Sequence, residues 1–176
     1  MGGHVYVDET KARDYLLVAV AIAGNDVSAA RRVVRSLHMP GQNRLHMSKE
    51  RPSRRRQIIT AMAAMPISVT VYRAGRDHKT DLKRRAVCLR NLVADVGHSL
   101  PVRLCLERDD SLVALDRQEI IETVRATKIK GDFEYWHEAA ASEAMLAVPD
   151  AFAWAWAKGG EWQQACQEAD VKVVDL

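Results

Sequence analysis

The chain contains 176 residues, 48% of them hydrophobic, which excludes an intrinsically disordered protein and predicts one domain over residues 1–176. Its formal net charge is +3, so the chain as a whole is neither strongly basic nor strongly acidic. No apolar run reaches the roughly 18 residues that a membrane-spanning helix needs, and the three cysteines lack metal-ligand spacing. We therefore predict a soluble, cytoplasmic protein that does not contact a membrane. Because the first predicted strand follows Met1 closely, no signal peptide is expected.

Predicted strands and helices alternate from the start of the chain. Residues 4–8 alternate between apolar and polar side chains, and residues 15–22 are continuously apolar, so both are predicted strands joined by a short polar loop. A helix is predicted over residues 28–37, followed by a polar loop. Ser53 is expected to cap the next helix, which runs to about Met65.

The same alternation continues through the middle of the chain. Residues 67–72 alternate as a strand, and residues 79–96 carry apolar side chains at helical spacing. Residues 102–107 form another predicted strand, and residues 110–125 a further helix. Strands interspersed with helices in this way predict an α/β fold.

The last third of the chain gives weaker patterns. Residues 127–133 are predicted as a short edge strand, and residues 171–174 as a final strand. Between them, residues 138–156 are predicted to be helical, with a break or kink at Pro149 because proline lacks the backbone donor that a helix interior needs.

Three acidic residues end or interrupt apolar segments. Asp8 ends the first predicted strand, Glu107 ends a later one, and Asp150 lies in an apolar helical stretch. Desolvating a carboxylate is costly unless a charge pairs with it, and Mg²⁺ takes hard oxygen ligands. Neighbouring strand residues point to opposite faces, so Asp8 is the preferred ligand and Glu9 an auxiliary acid. Taken singly, each of these acids more often serves as a turn or helix-cap residue.

Four short segments resemble, in chain order, the motifs of one family. Residues 5–10 (VYVDET) are similar to its opening Asp-Glu-Ser-Gly signature, and residues 44–49 (RLHMSK) to its Leu-His segment before a basic helix. Residues 104–108 (LCLER) resemble its strand that ends in an acid and Arg, and residues 144–155 (AMLAVPDAFAWA) resemble its Leu-Gln-x-Ala-Asp-x-x-Ala-Trp-Ala helix. The family is the group of RNase H-like proteins catalogued as domain of unknown function 3800.

This resemblance implies an RNase H-like mixed central β-sheet flanked by α-helices, with acids converging at the carboxyl edge of the sheet. It implies Asp8, Glu107 and Asp150 as metal ligands and catalytic residues, with Glu9 as an auxiliary catalytic acid. Nuclease chemistry is implied by analogy with the superfamily alone. The departures from the family pattern are Thr10 for Ser, Lys11 for Gly, Glu107 for Asp, Ala147 for Gln and Pro149 for Ala.

Basic residues are concentrated in the middle of the chain. Sixteen basic and only three acidic residues lie in the segment 31–90, whereas the segment 91–176 contains an excess of acidic residues. A basic surface that holds a polyanion next to an acidic site would account for this polarity. The alternative is two charged surfaces of opposite sign that pack against each other.

The start of one predicted helix is the strongest candidate for substrate contact. Arg54, Arg55 and Arg56 lie there, where cations oppose the helix dipole but guanidinium groups suit phosphate oxygens. With Lys49, they are predicted to hold a nucleic-acid backbone. His46 is predicted to coordinate metal or to act near the scissile phosphate, and the alternative is an ordinary surface histidine in a polar loop. In the alternative, these arginines are solvated or pair with the acidic C-terminal half.

Together these patterns predict a nuclease that depends on Mg²⁺ or Mn²⁺ and hydrolyses phosphodiester bonds of nucleic acid, whether RNA, DNA or a hybrid. The acids would hold two metal ions, one to activate water and one to stabilise the leaving oxygen. The alternative function is a catalytically inactive RNase H-like module that binds nucleic acid or a protein partner.

Overall fold

A six-stranded mixed sheet forms the centre of the protein. The computed structural model describes residues 3–99 and 101–176. The prediction about a signal peptide concerns the start of the chain at Met1, which lies outside these ranges. In spatial order the strands are β5-β4-β1-β2-β3-β6; β1 and β3 each run antiparallel to β2, and the other neighbouring pairs are parallel. Their bounds are β1 Gly3–Thr10, β2 Tyr15–Ala23, β3 Ile67–Ala74, β4 Val102–Glu107, β5 Phe133–Glu138 and β6 Asp170–Asp175.

Helices cover both faces of this sheet. Helices α1, α2 and α5 pack on one face, and α3 and α4 pack on the other. Two single 3₁₀ turns cover Met47–Lys49 and Ala144–Leu146. No helix in the described ranges is long and apolar enough to cross a membrane. The helices are α1 Val27–Ser36, α2 Pro52–Ala63, α3 Asp81–Val96, α4 Val113–Ala126, α5 Ala147–Lys158 and α6 Gly160–Gln164.

The apolar β2 strand lies between the two helical layers. Leu16, Val18 and Val20 belong to the core under α1, α2 and α5, whereas Leu17 and Ala19 belong to the core under α3 and α4. A strand covered on both faces buries alternate side chains in different cores, and this explains why its sequence is continuously apolar.

Two predicted helix starts need correction. Helix α2 begins at Pro52, with Arg51 in the cap position, so Ser53 does not cap it. Proline suits the first helical position, because the N–H that it lacks would have no partner there. Helix α4 begins at Val113, because the Asp109 side chain accepts hydrogen bonds from the backbone and side chain of Ser111 and forms a turn first.

The prediction of an edge strand over residues 127–133 was wrong in its position along the chain. The edge strand is Phe133–Glu138, and the residues before it form an exposed turn in which Lys128 adopts a φ of 53°. The prediction of a helix over residues 138–156 was also wrong in its first part, since the α-helix starts only at Ala147. Pro149 therefore lies in the first turn of α5, where a missing N–H is tolerated and no kink is needed.

Candidate active site

The carboxyl ends of β1 and β4 bring two of the predicted acids together. The strands are parallel neighbours, and Val7 pairs with Leu106, so Asp8 and Glu107 are the next residues on each. The preceding side chains alternate between the two cores, with Tyr6 and Cys105 on the α5 side and Val7 and Leu106 on the α3 side. Asp8 and Glu107 therefore both face the layer that contains α5.

Asp150 reaches the same edge from the first turn of α5. One carboxylate oxygen accepts the backbone N–H of Met47 at 2.9 Å, and the other lies 3.4 Å from Nδ1 of His46. A carboxylate in this position is favoured by the positive end of the helix dipole. The loop before α2 thus fixes the orientation of the third acid.

The charges of the neighbouring acids act on Asp8. Burial raises the pKa of Asp8 well above its usual range, and the negative charges of Glu107, Asp150 and Glu9 raise it further. The backbone N–H of Glu9 donates to Asp8 at 2.7 Å and offsets this only in part. The result is a largely buried Asp8 carboxylate that has no cationic partner of its own among the described residues, a situation that a bound cation would relieve.

Glu9 lies on the opposite face of the sheet from Asp8. Its carboxylate accepts a hydrogen bond of 2.7 Å from Arg85 of α3 and lies 3.7 Å from Lys11. Because Arg85 holds it there, Glu9 belongs to a different charge network from the three acids on the α5 side.

Arg85 and Asp116 form the centre of that second network, and sequence reasoning missed both. The Arg85 side chain is 2% exposed and binds both oxygens of Asp116, at 2.6 and 2.8 Å. It also donates to Tyr15, and Nε2 of His137 lies 2.9 Å from Asp116. The signal in the sequence was a charged residue on the apolar stripe of each helix, one in α3 and one in α4.

Several donors around the α5-side acids are of the kinds that a divalent cation accepts. Carboxylate oxygens are hard ligands for Mg²⁺ or Mn²⁺. The buried Nδ1 atom of His46 has no hydrogen-bond partner among the described residues and faces Asp150, while its Nε2 lies 2.9 Å from Ser48 Oγ. However, no three His, Cys, Asp or Glu side chains in the described ranges are close enough to enclose an ion, and Glu107 lies 3.4 Å from Arg44.

The three arginines predicted to hold substrate contact the protein itself. Arg54 donates to the carbonyl of Leu37, and Arg55 donates to the carbonyls of Met47 and Ser48 at 2.8 and 3.0 Å. Arg55 and Arg56 also stack over the rings of Trp154 and Trp162, and Arg56 binds Glu161 at 2.7 Å. Arg54 and Arg55 therefore fix the loop that presents His46 and Met47 to Asp150, whereas Arg56 joins α2 to α6.

Lys49 differs from these arginines. It is exposed in the 3₁₀ turn next to His46, and within the described ranges it contacts no carboxylate at ion-pair distance. Among the described residues, Lys49 is thus the one basic side chain of the predicted substrate contacts that has no ion-pair or hydrogen-bond partner on the protein.

Much of the basic middle segment pairs with the acidic C-terminal half. Six of its arginines lie within 4.0 Å of acids beyond residue 91, an arrangement that supports the packing alternative for the charge polarity. The pairs are Arg31–Glu143, Arg44–Glu107, Arg56–Glu161, Arg73–Asp175, Arg85–Asp116 and Arg90–Glu119.

A cleft of about 420 Å³ opens beside Asp150. Its wall includes His46 and Ser48 from the loop before α2, and Trp154 and Lys158 from α5. The volume lies within the range of about 300–1,000 Å³ that is usual for ligand pockets.

Comparison with solved structures identifies the fold. The RNase HII of the PCNA:RNase HII complex from Archaeoglobus fulgidus is 13% identical with a TM-score of 0.56, and the match covers 90% of this chain and 72% of that one. Bst-RNase HIII in complex with Mn²⁺ is 15% identical with a TM-score of 0.52, and the match covers 86% of this chain.

The chain has an RNase H-like fold. The predicted fold class is thereby confirmed, with its mixed sheet and flanking helices. The matched part is only 50% of the length of Bst-RNase HIII. No protein-family model and no curated protein matches the chain, so membership of the domain-of-unknown-function 3800 family stays a prediction.

Proposed function

We propose that this RNase H-like protein is a nuclease that depends on a divalent metal ion and hydrolyses phosphodiester bonds of nucleic acid. The observation that carries the proposal is the convergence of Asp8, Glu107 and Asp150 at one edge of the sheet, on the same face and within electrostatic reach of one another. The two solved structures compared above are ribonucleases, one of them in complex with Mn²⁺, and they support this reaction class by analogy.

In this proposal Asp8, Glu107 and Asp150 hold Mg²⁺ or Mn²⁺. When bound, such an ion lowers the pKa of a coordinated water and stabilises negative charge on the phosphate. For Glu107 to join the site, its carboxylate must turn away from Arg44, from which it now lies 3.4 Å. The longer Glu side chain has one more rotatable bond than Asp with which to do so.

The remaining residues of the site position these ligands. The backbone N–H of Met47 orients Asp150, and Arg55 fixes the Met47 carbonyl from the other side. In this proposal Nδ1 of His46, which is buried and faces Asp150, would bind the metal. Lys49 provides an exposed positive charge at the rim, suited to the nucleic-acid backbone.

We assign Glu9 an auxiliary role. Because Arg85 binds its carboxylate on the opposite face, Glu9 contributes to the negative field around Asp8 and anchors the end of β1. We also propose that the chain belongs to the domain-of-unknown-function 3800 family, on the strength of the four ordered motifs.

One observation favours the alternative of an inactive RNase H-like module. Glu107 faces Arg44, and the described residues enclose no ready-made metal site. If that pair persists in solution, the protein would keep the fold and bind nucleic acid through its surface cations without cleaving it.

A cleavage assay separates the two functions. The wild type and Asp8→Asn are incubated with labelled single-stranded RNA, duplex DNA and an RNA–DNA hybrid, each with Mg²⁺, Mn²⁺ or EDTA. The nuclease proposal predicts cleavage by the wild type alone, abolished by EDTA. Binding without cleavage under every metal would support the inactive module instead, and cleavage by Asp8→Asn would mean that the site is wrong.

A further inference from the structure

A groove leads away from the acid site along the C-terminal part of α5. The cleft beside Asp150 is lined by Arg13 of the β1–β2 loop and by Trp154 and Lys158 of α5. A second cleft of about 180 Å³ shares Arg13 and Lys158 with the first and extends to Arg73 on β3. The two clefts are therefore neighbours on one surface, with Asp150 at one end.

The cations of this groove are available for a ligand. Arg13 and Lys158 are both exposed, and neither forms an ion pair or a side-chain hydrogen bond with another residue in the described ranges. This distinguishes them from Arg54, Arg55 and Arg56, whose guanidinium groups bind carbonyls and a carboxylate of the protein. Arg13 and Lys158 thus present cations without an ion-pair partner among the described residues, in a groove whose lining also contains Glu9, Asp14 and Asp150.

The length of the groove matches a short stretch of nucleic acid. Asp150 and Lys158 are eight positions apart on α5, which corresponds to about 12 Å at 1.5 Å per residue. A stacked strand rises about 3.4 Å per nucleotide, so this distance spans roughly three to four nucleotides. Trp154 lies between the two residues, and its ring contacts Arg55 at 4.7 Å and the Lys158 ammonium at 5.8 Å, so it supports the cation at the far end of the groove.

We propose that the groove lined by Arg13, Trp154 and Lys158 binds the phosphates of one nucleic-acid strand as it leaves the acid site. This inference rests on the proposed nuclease function, which supplies the substrate. The bound nucleic-acid strand then runs along the β1–β2 loop and α5, and not along the arginines of α2. Arg13 and Lys158 bind phosphate oxygens, and the Trp154 ring positions Lys158.

Binding of a short labelled single-stranded oligonucleotide tests the groove without interference from cleavage. Fluorescence anisotropy is measured in the Asp8→Asn background between about 50 and 200 mM NaCl. The test variant adds Arg13→Ala and Lys158→Ala. The matched control adds Arg117→Ala and Arg125→Ala, which remove the same charge from exposed positions of α4 on the opposite face.

The groove variant should bind about tenfold more weakly than its parent at low salt. The slope of log K against log salt is negative, and its magnitude should be smaller by about 1.4, because each of the two lost phosphate contacts contributes about 0.7 for a single strand. The control should stay within about twofold of the parent. Equal affinity and slope for the groove variant and its parent would overturn the inference, as would an equal loss in the control or no binding by the parent.

Failure of the groove and failure of the nuclease proposal are distinguishable. If the metal-loaded wild type cleaves while the groove variant binds like its parent, the function stands and the strand path is wrong. If the wild type cleaves nothing but the groove variant loses salt-dependent binding, the groove stands as the binding surface of an inactive module.

Discussion

The buried Arg85–Asp116 pair provides the sharpest test of how the sheet edge is held. Arg85→Met keeps most of the side-chain volume but removes the guanidinium, and so leaves the carboxylates of Asp116 and Glu9 without their main partner. Removing one member of a buried ion pair costs about 3–5 kcal/mol. For a chain of this size each kcal/mol shifts Tm by about 2–4 °C, so Tm should fall by roughly 6–20 °C.

The assay is urea denaturation with a double-variant cycle. Because Arg85→Met with Asp116→Leu removes both charges, it should be less destabilised than the sum of the two single variants by about 2 kcal/mol or more. The matched control is Arg103→Met, since the Arg103–Glu134 pair at 3.2 Å has side chains 58% and 60% exposed. An exposed pair contributes at most about 1 kcal/mol. If Arg85→Met costs no more than Arg103→Met, the network does not hold this edge.

Two further predictions concern the pH dependence of stability. Although burial raises the pKa of Asp116, hydrogen bonds from Arg85 and His137 outweigh it and hold the pKa below its ordinary value. Its stabilising contribution is therefore present above about pH 4 and is lost as pH falls through the folded-state pKa. In urea denaturation, the free energy of unfolding of Asp116→Asn should fall less over this pH range than that of the wild type. Equal losses would show that Asp116 does not contribute. For Asp8 the sign is opposite: burial and the neighbouring acids raise its folded-state pKa, so in metal-free protein its ionisation destabilises the fold as pH rises. Asp8→Asn should thus be more stable than the metal-free wild type at neutral pH, with a difference that shrinks towards pH 4. A less stable Asp8→Asn at neutral pH would contradict this account.

Most of the sheet could be predicted from the sequence, because its strands carry strong local patterns. Tyr15–Ala23 is buried on both faces and reads as an apolar run, and Ile67–Ala74 alternates because alternate side chains face the core. The edge strand Phe133–Glu138 was missed, since most of its side chains are only partly buried and its aromatic residues show no clear alternation.

The acid site was predictable only in part. Strand ends are visible in the sequence, and parallel neighbours bring their carboxyl ends to one edge, so Asp8 and Glu107 could be paired in advance. The partners of Arg85 could not be inferred, because they come from β1, β2 and α4 and meet only in the folded chain. The same holds for Arg54 and Arg55, whose carbonyl partners lie in a loop without regular pattern.

Calorimetric titration of Mn²⁺ into the metal-free wild type and Asp8→Asn tests the central claim most directly. The account predicts saturable binding by the wild type, with residual or no binding by Asp8→Asn because the carboxylate most crowded by like charge is lost. A wild type that binds no Mn²⁺, or an Asp8→Asn variant that binds it equally well, would contradict a metal site formed by Asp8, Glu107 and Asp150.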